Sequence, residues 1–334
     1  MCRVSEERET STRLFASSHH APCLIYSIIA AMKCIELAKE LAIQVKEEWK
    51  GAKFDSEIFS NGITNKILSV FPEGSPDDRL IFRVFGENTE RIIDRKYELE
   101  QWEKLSTYGL AAPLYATFAN GIICGYLPGN PLSMDMLRDE KIQKEICRAT
   151  AVMHDIHVDN AIPCTWTKLE RFLSNVDSKY KDDEKQRLFD SAFGEIDLAD
   201  RVSTLRTEIE SLSPAIAFCH NDLLVHNILY DQKSGRISFI DYEYADANYE
   251  LFDIANHFNE WAGVDNANFT KCPSKEVKLR WLQTYYSMRK EGNCRKSVEE
   301  AVRQIALFQA ASHLFWTVWS LVQSQNSTID FDYL

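Results

Sequence analysis

Hydrophobic and polar positions alternate differently in the two parts of the chain, and the change falls at Pro128-Gly129-Asn130-Pro131. Before it, short apolar runs bounded by turn residues predict strands over 66–71, over 80–85 after the turn at Pro72–Asp78, and over 114–118 and 122–127, joined by Asn120-Gly121. Two helices accompany them. The first is predicted over 24–48, with Ile35, Leu37, Leu41 and Ile43 set against Lys33, Glu36, Lys39 and Glu40. The second is predicted over 94–108, capped by Asp94, striped by Leu99, Trp102 and Leu105, and stopped at Gly109.

Beyond residue 128 a helical period takes over. Ile142, Ile146, Ala149, Met153 and Ile156 mark one helix, residues 160–213 are charge-rich and helical, and 249–264 form an apolar, aromatic helix that contains Asp253 and Glu260. The last helix, over 297–323, is apolar nearly all round and is expected to be buried. Three short apolar runs interrupt the helices, at 215–219, 227–230 and 237–240, the last two joined by a turn at Asp231–Gly235.

Candidate chemistry collects at this interruption. Asp222 follows the first run, Asn227 opens the second and Asp241 closes the third. The interval from His220-Asn221-Asp222 to Asn227 is that of the kinase loop H-R-D-x-x-x-x-N, with Asn221 where that motif has Arg. A second acid at a strand end matches the metal-binding Asp of the same signature. Such chemistry needs a carboxylate to orient an alcohol and hard oxygen ligands to hold Mg²⁺ between phosphates. Each piece alone also reads as a polar turn; their common register is what points to catalysis.

Other features are read beside it. Ser60-Asn61-Gly62-Ile63-Thr64-Asn65 could lie over phosphates or be an ordinary hairpin loop. Arg83 in mid-strand and Glu98 on the following helix fit a strand–helix ion pair, or Glu98 is a helix-start acid stabilised by the dipole. Asp253 and Glu260 are acids bonded to backbone or placed for a cation. Trp316 and Trp319 share a helix face, as core filling or as an aromatic wall for an ammonium group. His154 and His157 are expected to be a packed and a surface histidine, not a metal site.

Composition narrows the classes. A length of 334 residues allows two lobes, and a net charge of −12 argues against a general binder of nucleic acid or anionic membrane. Nine cysteines without a C-x-x-C read as reduced thiols, in keeping with a cytoplasmic protein. The apolar run Ala21–Met32 is too short to span a bilayer, and residues 1–23 are expected to be a disordered tail.

The assembled residues resemble the choline/ethanolamine kinase family over about 59–334. The stretches that carry the resemblance are Asn61–Lys66, Cys219–Asp222 with Asn227–Tyr230, Phe239–Tyr244, Phe252–Glu260, Phe315–Trp319 and Ser327–Phe331. The run Asn256–Val264 looks more like the ethanolamine branch.

The resemblance implies an α+β, bilobal protein-kinase-like fold, with a small antiparallel-sheet N-lobe over 24–127 and a larger, mainly helical C-lobe over 128–334. It implies ATP-dependent phosphorylation of ethanolamine, the first step towards phosphatidylethanolamine, with Mg²⁺ as cofactor. By it Asp222 is the catalytic base and Asn227 and Asp241 the metal ligands. Asn61, Gly62, Thr64, Asn65, Arg83 and Glu98 bind ATP, and Glu260, Trp316 and Trp319 bind the amino alcohol. A base of ordinary pKa suffices for this reaction, because positioning and electrostatics supply most of the effect.

The expected partners are a small amino alcohol and ATP, without nucleic acid or stable membrane insertion; a homodimer is compatible with the family. Family members usually continue with a further helix, and an end at Leu334 is expected to leave the acceptor pocket less enclosed. Choline kinase activity, or a catalytically inactive scaffold, are the competing readings. A protein kinase is disfavoured, since no A-P-E follows Asp241.

Overall fold

The computed structural model describes residues 28–59, 65–85, 95–118, 120–158, 161–264, 267–290, 297–327 and 333–334, with backbone alone for 28–34, 65 and 66. The tail over 1–23, the loop residues Asn61, Gly62 and Thr64, the cap Asp94 and the end motif over 328–331 lie outside the described residues. The chain divides into two compact units, Met1–Thr89 with Trp102–Pro128, and Glu90–Gln101 with Gly129–Leu334.

In the first unit, helix α1 (Ile28–Val45) precedes strands β1 (Phe54–Phe59), β2 (Asn65–Pro72) and β3 (Leu80–Phe85). Helix α2 (Arg95–Thr107) contributes its second half, and β4 (Leu114–Phe118) and β5 (Gly121–Gly125) follow. The five strands form one antiparallel sheet in the order β1-β2-β3-β5-β4. Strand β1 was not expected: Asp55, Ser56 and Glu57 hide its apolar residues, as suits an edge strand with β2 as its one neighbour in the sheet.

The face of α1 also differs from expectation. Ala38 and Ala42 are buried with Leu41 and Val45 packed beside them, whereas Leu37 is 55 % exposed. The small alanines let the helix approach Val70, Leu80 and Phe82 of the sheet closely, and the i, i+3, i+4, i+7 spacing of 38, 41, 42 and 45 sets the face. At the predicted Asn120-Gly121 turn, glycine is required by space: a Cβ on Gly121 would stand 2.3 Å from the Arg83 carbonyl oxygen.

The second unit begins with a two-residue strand, β6 (Asn130–Pro131), and helices α3 (Glu140–His154), α4 (Cys164–Leu173), α5 (Asp183–Phe193) and α6 (Leu198–Ser211). Strands β7 (Ile216–Cys219), β8 (Ile228–Asp231), β9 (Arg236–Phe239) and β10 (Asp246–Tyr249) come next, then helices α7 (Glu250–Glu260), α8 (Lys275–Met288) and α9 (Val298–Asn326). The strands pair as β10-β7 and β6-β8-β9. Asp139, Asp182, Asp197, Ser274 and Ser297 cap α3, α5, α6, α8 and α9 through their side chains, each worth about 1 kcal/mol.

Gly129 has φ +126°, and a Cβ there would stand 2.9 Å from the Tyr230 carbonyl carbon in β8. Helix α9 is less enclosed than expected. Phe308, Phe315 and Val318 are buried, with Phe315 meeting Phe172 and Phe252 edge-on, but Ala306, Ala310 and His313 lie open to solvent. Small apolar residues gave the helix its uniform pattern without a second buried face.

Candidate active site

Strand β7 delivers the chain to Asn221, which takes a left-handed φ of 69° immediately before Asp222; Asp241 takes φ 65° at the end of β9. Such conformations cost non-glycine residues about 1 kcal/mol or more and persist where the surroundings fix them. Here Asp253 of α7 fixes the first: its carboxylate accepts the backbone N–H groups of His220 (2.9 Å) and Asn221 (2.7 Å) and the His154 Nε2–H (2.9 Å). The Asn221 side chain donates to the Tyr244 carbonyl oxygen (2.9 Å) and accepts from Asn248 (2.7 Å). Burial alone would raise the Asp253 carboxyl, but the bond from His154 and the nearby donors overcome it and hold it below the usual carboxylate range. Of the two roles read for this acid, backbone anchoring is the one the structure shows.

The turn between β8 and β9 forms as expected. Asp231 accepts from the Lys233 and Ser234 backbone and the Ser234 hydroxyl, and Gly235 closes it with φ +69°. His220 Nε2 donates to the Ile240 carbonyl (2.9 Å), tying the end of β7 to the residue before Asp241. Burial lowers the His220 pKa, so this imidazole is neutral with its proton on Nε2.

Asp222 is 9 % exposed. Asn227 Nδ2 donates both to its carboxylate (3.0 Å) and to its carbonyl oxygen (2.9 Å), so the Asp–Asn pair is pre-formed. Desolvation, then the charges of Glu260, Asp241 and Glu243, raise the Asp222 pKa well above the carboxylate range, and the Asn227 bond only partly offsets them. The reaction does not require a raised base, but burial and three neighbouring acids act together to raise this one.

This donor set fits a hard divalent cation. It consists of carboxylates and an amide oxygen, and the acids Glu260, Asp241 and Glu243 within charge range of Asp222 gather negative charge that a cation would relieve. His154, Cys219 and Asp253 also lie close together, but both ring nitrogens of His154 are engaged, by Asp253 and by the Tyr285 hydroxyl (2.6 Å), and burial pushes the Cys219 thiol up. That cluster is a structural network. His157 lies at the surface, as expected for one of the two histidines.

A second wall of the site comes from α7 and α9. Glu260 ends α7, and burial raises its carboxyl to about 7. Trp316 and Trp319 meet edge to face at 5.5 Å, and Trp316 meets Tyr244 at 5.1 Å. Trp319 Nε1 donates to the Tyr244 hydroxyl (2.7 Å) and Trp316 Nε1 to Asn256 Oδ1 (2.7 Å). The Tyr244 pKa is raised by burial first and then by Glu243 and Asp222, which places the aromatic group beside the acids.

The structure thus brings Asp222, Asn227, Asp241, Glu260, Trp316 and Trp319 into one unit. Arg83 is buried in the first unit, on the central strand of the sheet, with its guanidinium 5.9 Å from the Trp102 ring centroid. Glu98 belongs to the second unit, where Arg95 donates to it at 2.6 Å and lies 3.6 Å from Glu243. Asn65 opens β2 opposite Phe85. The sequence reading did not single out Arg95, Glu243, Tyr244 or Asn256. The acids and aromatics beside Asp241 were a usable signal for Glu243 and Tyr244, and the run Asn256–Val264 was one for Asn256; Arg95 gave none.

An antiparallel sheet followed by a largely helical part, with an Asp–Asn loop and a strand-end Asp in the second, is the fold and site of a kinase-like phosphotransferase. The sequence profile of the Choline/ethanolamine kinase family matches residues 56–334. Ethanolamine kinase 2 of Rattus norvegicus is 36 % identical over 301 residues, covering 89 % of this chain and 77 % of that protein. Ethanolamine kinase of Drosophila melanogaster is 39 % identical over 276 residues, 78 % of this chain and 53 % of that protein. Among solved structures, an ethanolamine kinase of Plasmodium vivax superposes with a TM-score of 0.79 at 26 % identity, covering 92 % of this chain and 86 % of that one. A choline kinase of Cryptosporidium parvum, 20 % identical, shares the fold with a TM-score of 0.72 over 90 % of this chain and 91 % of that one. The chain belongs to the choline/ethanolamine kinase family.

Proposed function

We propose that this kinase transfers the γ-phosphoryl group of ATP to the hydroxyl of ethanolamine, giving phosphoethanolamine and ADP, the first step of the route to phosphatidylethanolamine. The observation that carries the reading is the partly buried Glu260 carboxylate within charge range of Asp222, in the same unit as the paired indoles of α9. A small cation with a hydroxyl group satisfies both ends: its ammonium faces Glu260 and the indoles, and its oxygen faces Asp222. The ethanolamine kinases at 34–39 % identity support the choice of acceptor.

Asp222 accepts the hydroxyl hydrogen bond, held in orientation by Asn227 Nδ2 and by the backbone that Asp253 anchors. The alcohol oxygen bonds to the γ-phosphorus as the bond to the bridging β–γ oxygen breaks, and the proton passes to Asp222. Asn227 and Asp241 would hold Mg²⁺, which neutralises charge on the phosphates when bound. Arg83, Glu98 and the loop residues Asn61, Gly62, Thr64 and Asn65 serve the nucleotide.

Ethanolamine is preferred because its ammonium has three N–H donors that need acceptors, and Glu260 and Asp222 are acceptors. Choline is the second reading, favoured by the indole faces. The test is ADP release by the purified chain with Mg-ATP and ethanolamine, choline or neither. A higher kcat/KM with ethanolamine is expected; a higher value with choline overturns the acceptor, and no turnover with either overturns the activity.

A further inference from the structure

We infer that Asn256 is a positioning residue that sets the acceptor preference of the site, through the orientation in which it holds Trp316. The inference rests on the amino-alcohol kinase reading above.

Asn256 is fully buried on α7, one turn before Glu260. Its Oδ1 accepts from Trp316 Nε1 at 2.7 Å and from Ser312 Oγ at 2.8 Å. An indole N–H only donates, so the bond fixes which amide atom faces the tryptophan. Two donors fill the lone pairs of Oδ1, and Nδ2 has no hydrogen-bond partner among the described residues. An amide with a saturated oxygen and a remaining N–H offers nothing to an ammonium group. Asn256 therefore acts through Trp316 and not by touching the acceptor.

The consequence is geometric. With the Trp316 N–H held by Asn256 and the Trp319 N–H held by Tyr244, neither indole needs its polar edge at the ligand. The two rings stand at 78° to one another, a corner of π faces suited to a rounded cation. A neutral amide holds this corner without adding to the acids around Asp222. An alcohol with a quaternary ammonium has no N–H to donate and depends on the faces alone. A primary ammonium can also use the Glu260 carboxylate. Releasing Trp316 therefore penalises the quaternary acceptor more than the primary one.

The test compares the full chain with Asn256→Ala, measuring kcat and KM for ethanolamine, choline and ATP. The expected result is a fall of about tenfold in the choline-to-ethanolamine ratio of kcat/KM, carried by the choline KM. The KM for ATP and the kcat at saturating acceptor stay within about twofold, a split that general destabilisation does not produce. Should Asn256→Ala fail to fold, Asn256→Ser, which keeps a polar group but withdraws the acceptor from the indole, carries the same expectation. An active wild type with an unchanged acceptor ratio in the folded variant overturns this inference and leaves the activity standing. A wild type inactive on both alcohols overturns the activity reading and this inference with it.

Discussion

Glu260 should make acceptor use depend on pH near neutrality. Burial holds its carboxyl at about 7, so the folded protein keeps a proton there that an exposed glutamate would have lost. The ammonium pairs only with the ionised form. For a group with pKa 7 the ionised fraction is about ten-elevenths at pH 8 and about one-eleventh at pH 6, a ratio of about ten. The kcat/KM for ethanolamine at saturating Mg-ATP should therefore fall about tenfold from pH 8 to pH 6, while kcat at saturating ethanolamine falls less, because the bound cation lowers the pKa. Initial-rate measurements across this range, with the ADP-coupling system calibrated at each pH, read both quantities.

Glu260→Gln should lower kcat/KM at pH 8 and flatten the profile. It should also stabilise the protein at pH 8, where the wild type carries a desolvated charge worth about 3 kcal/mol, an advantage that shrinks as pH falls through 7. A wild-type kcat/KM that changes less than about twofold between pH 6 and 8, or a Gln variant that keeps the wild-type slope, refutes the reasoning.

Asp222→Asn keeps the Asn227 contact nearly isosteric and should retain nucleotide binding by calorimetry while losing on the order of a thousandfold or more in phosphoryl transfer. Asp253→Asn leaves two backbone N–H groups and His154 competing for one neutral oxygen, and should cost about 3 kcal/mol in urea unfolding. Gly129→Ala combines a φ of +126° with a Cβ 2.9 Å from the Tyr230 carbonyl carbon, and should lower the Tm with a loss of about 2 kcal/mol or more.

The candidate site was legible where its arrangement depends on spacing along the chain. Asp222, Asn227 and Asp241 are brought together by one loop and one hairpin, and the Asp231–Gly235 turn announces that hairpin. What depends on three-dimensional approach was not legible. The buried face of α1 is lined by alanines, which hydropathy ranks below the exposed Leu37. The edge strand β1 carries too many polar residues to read as a strand, and α9 looks uniformly apolar because Ala306 and Ala310 cost little when exposed. Asp253 and Glu260, seven residues apart on one helix, read alike in sequence. The His154 bond, with backbone donors beside it, stabilises one as an anion, and burial leaves the other near neutrality. Asn256 resembles any polar residue in an amphipathic helix until α9 is packed against it.

The short strand β6 gives the second unit a timetable. Asn130 pairs with Tyr230, one hundred positions further along the chain, and four α-helices lie between them. At a synthesis rate of about 5–20 residues per second, Asn130 waits about 5–20 s for its partner to emerge. Helices α3 to α6 can form locally during that interval, whereas the three-stranded sheet behind Asp222 cannot close until the last of it has left the ribosome. Catalytic competence is therefore a late event in folding, and slowing translation downstream of Asn130 should lengthen the delay in direct proportion.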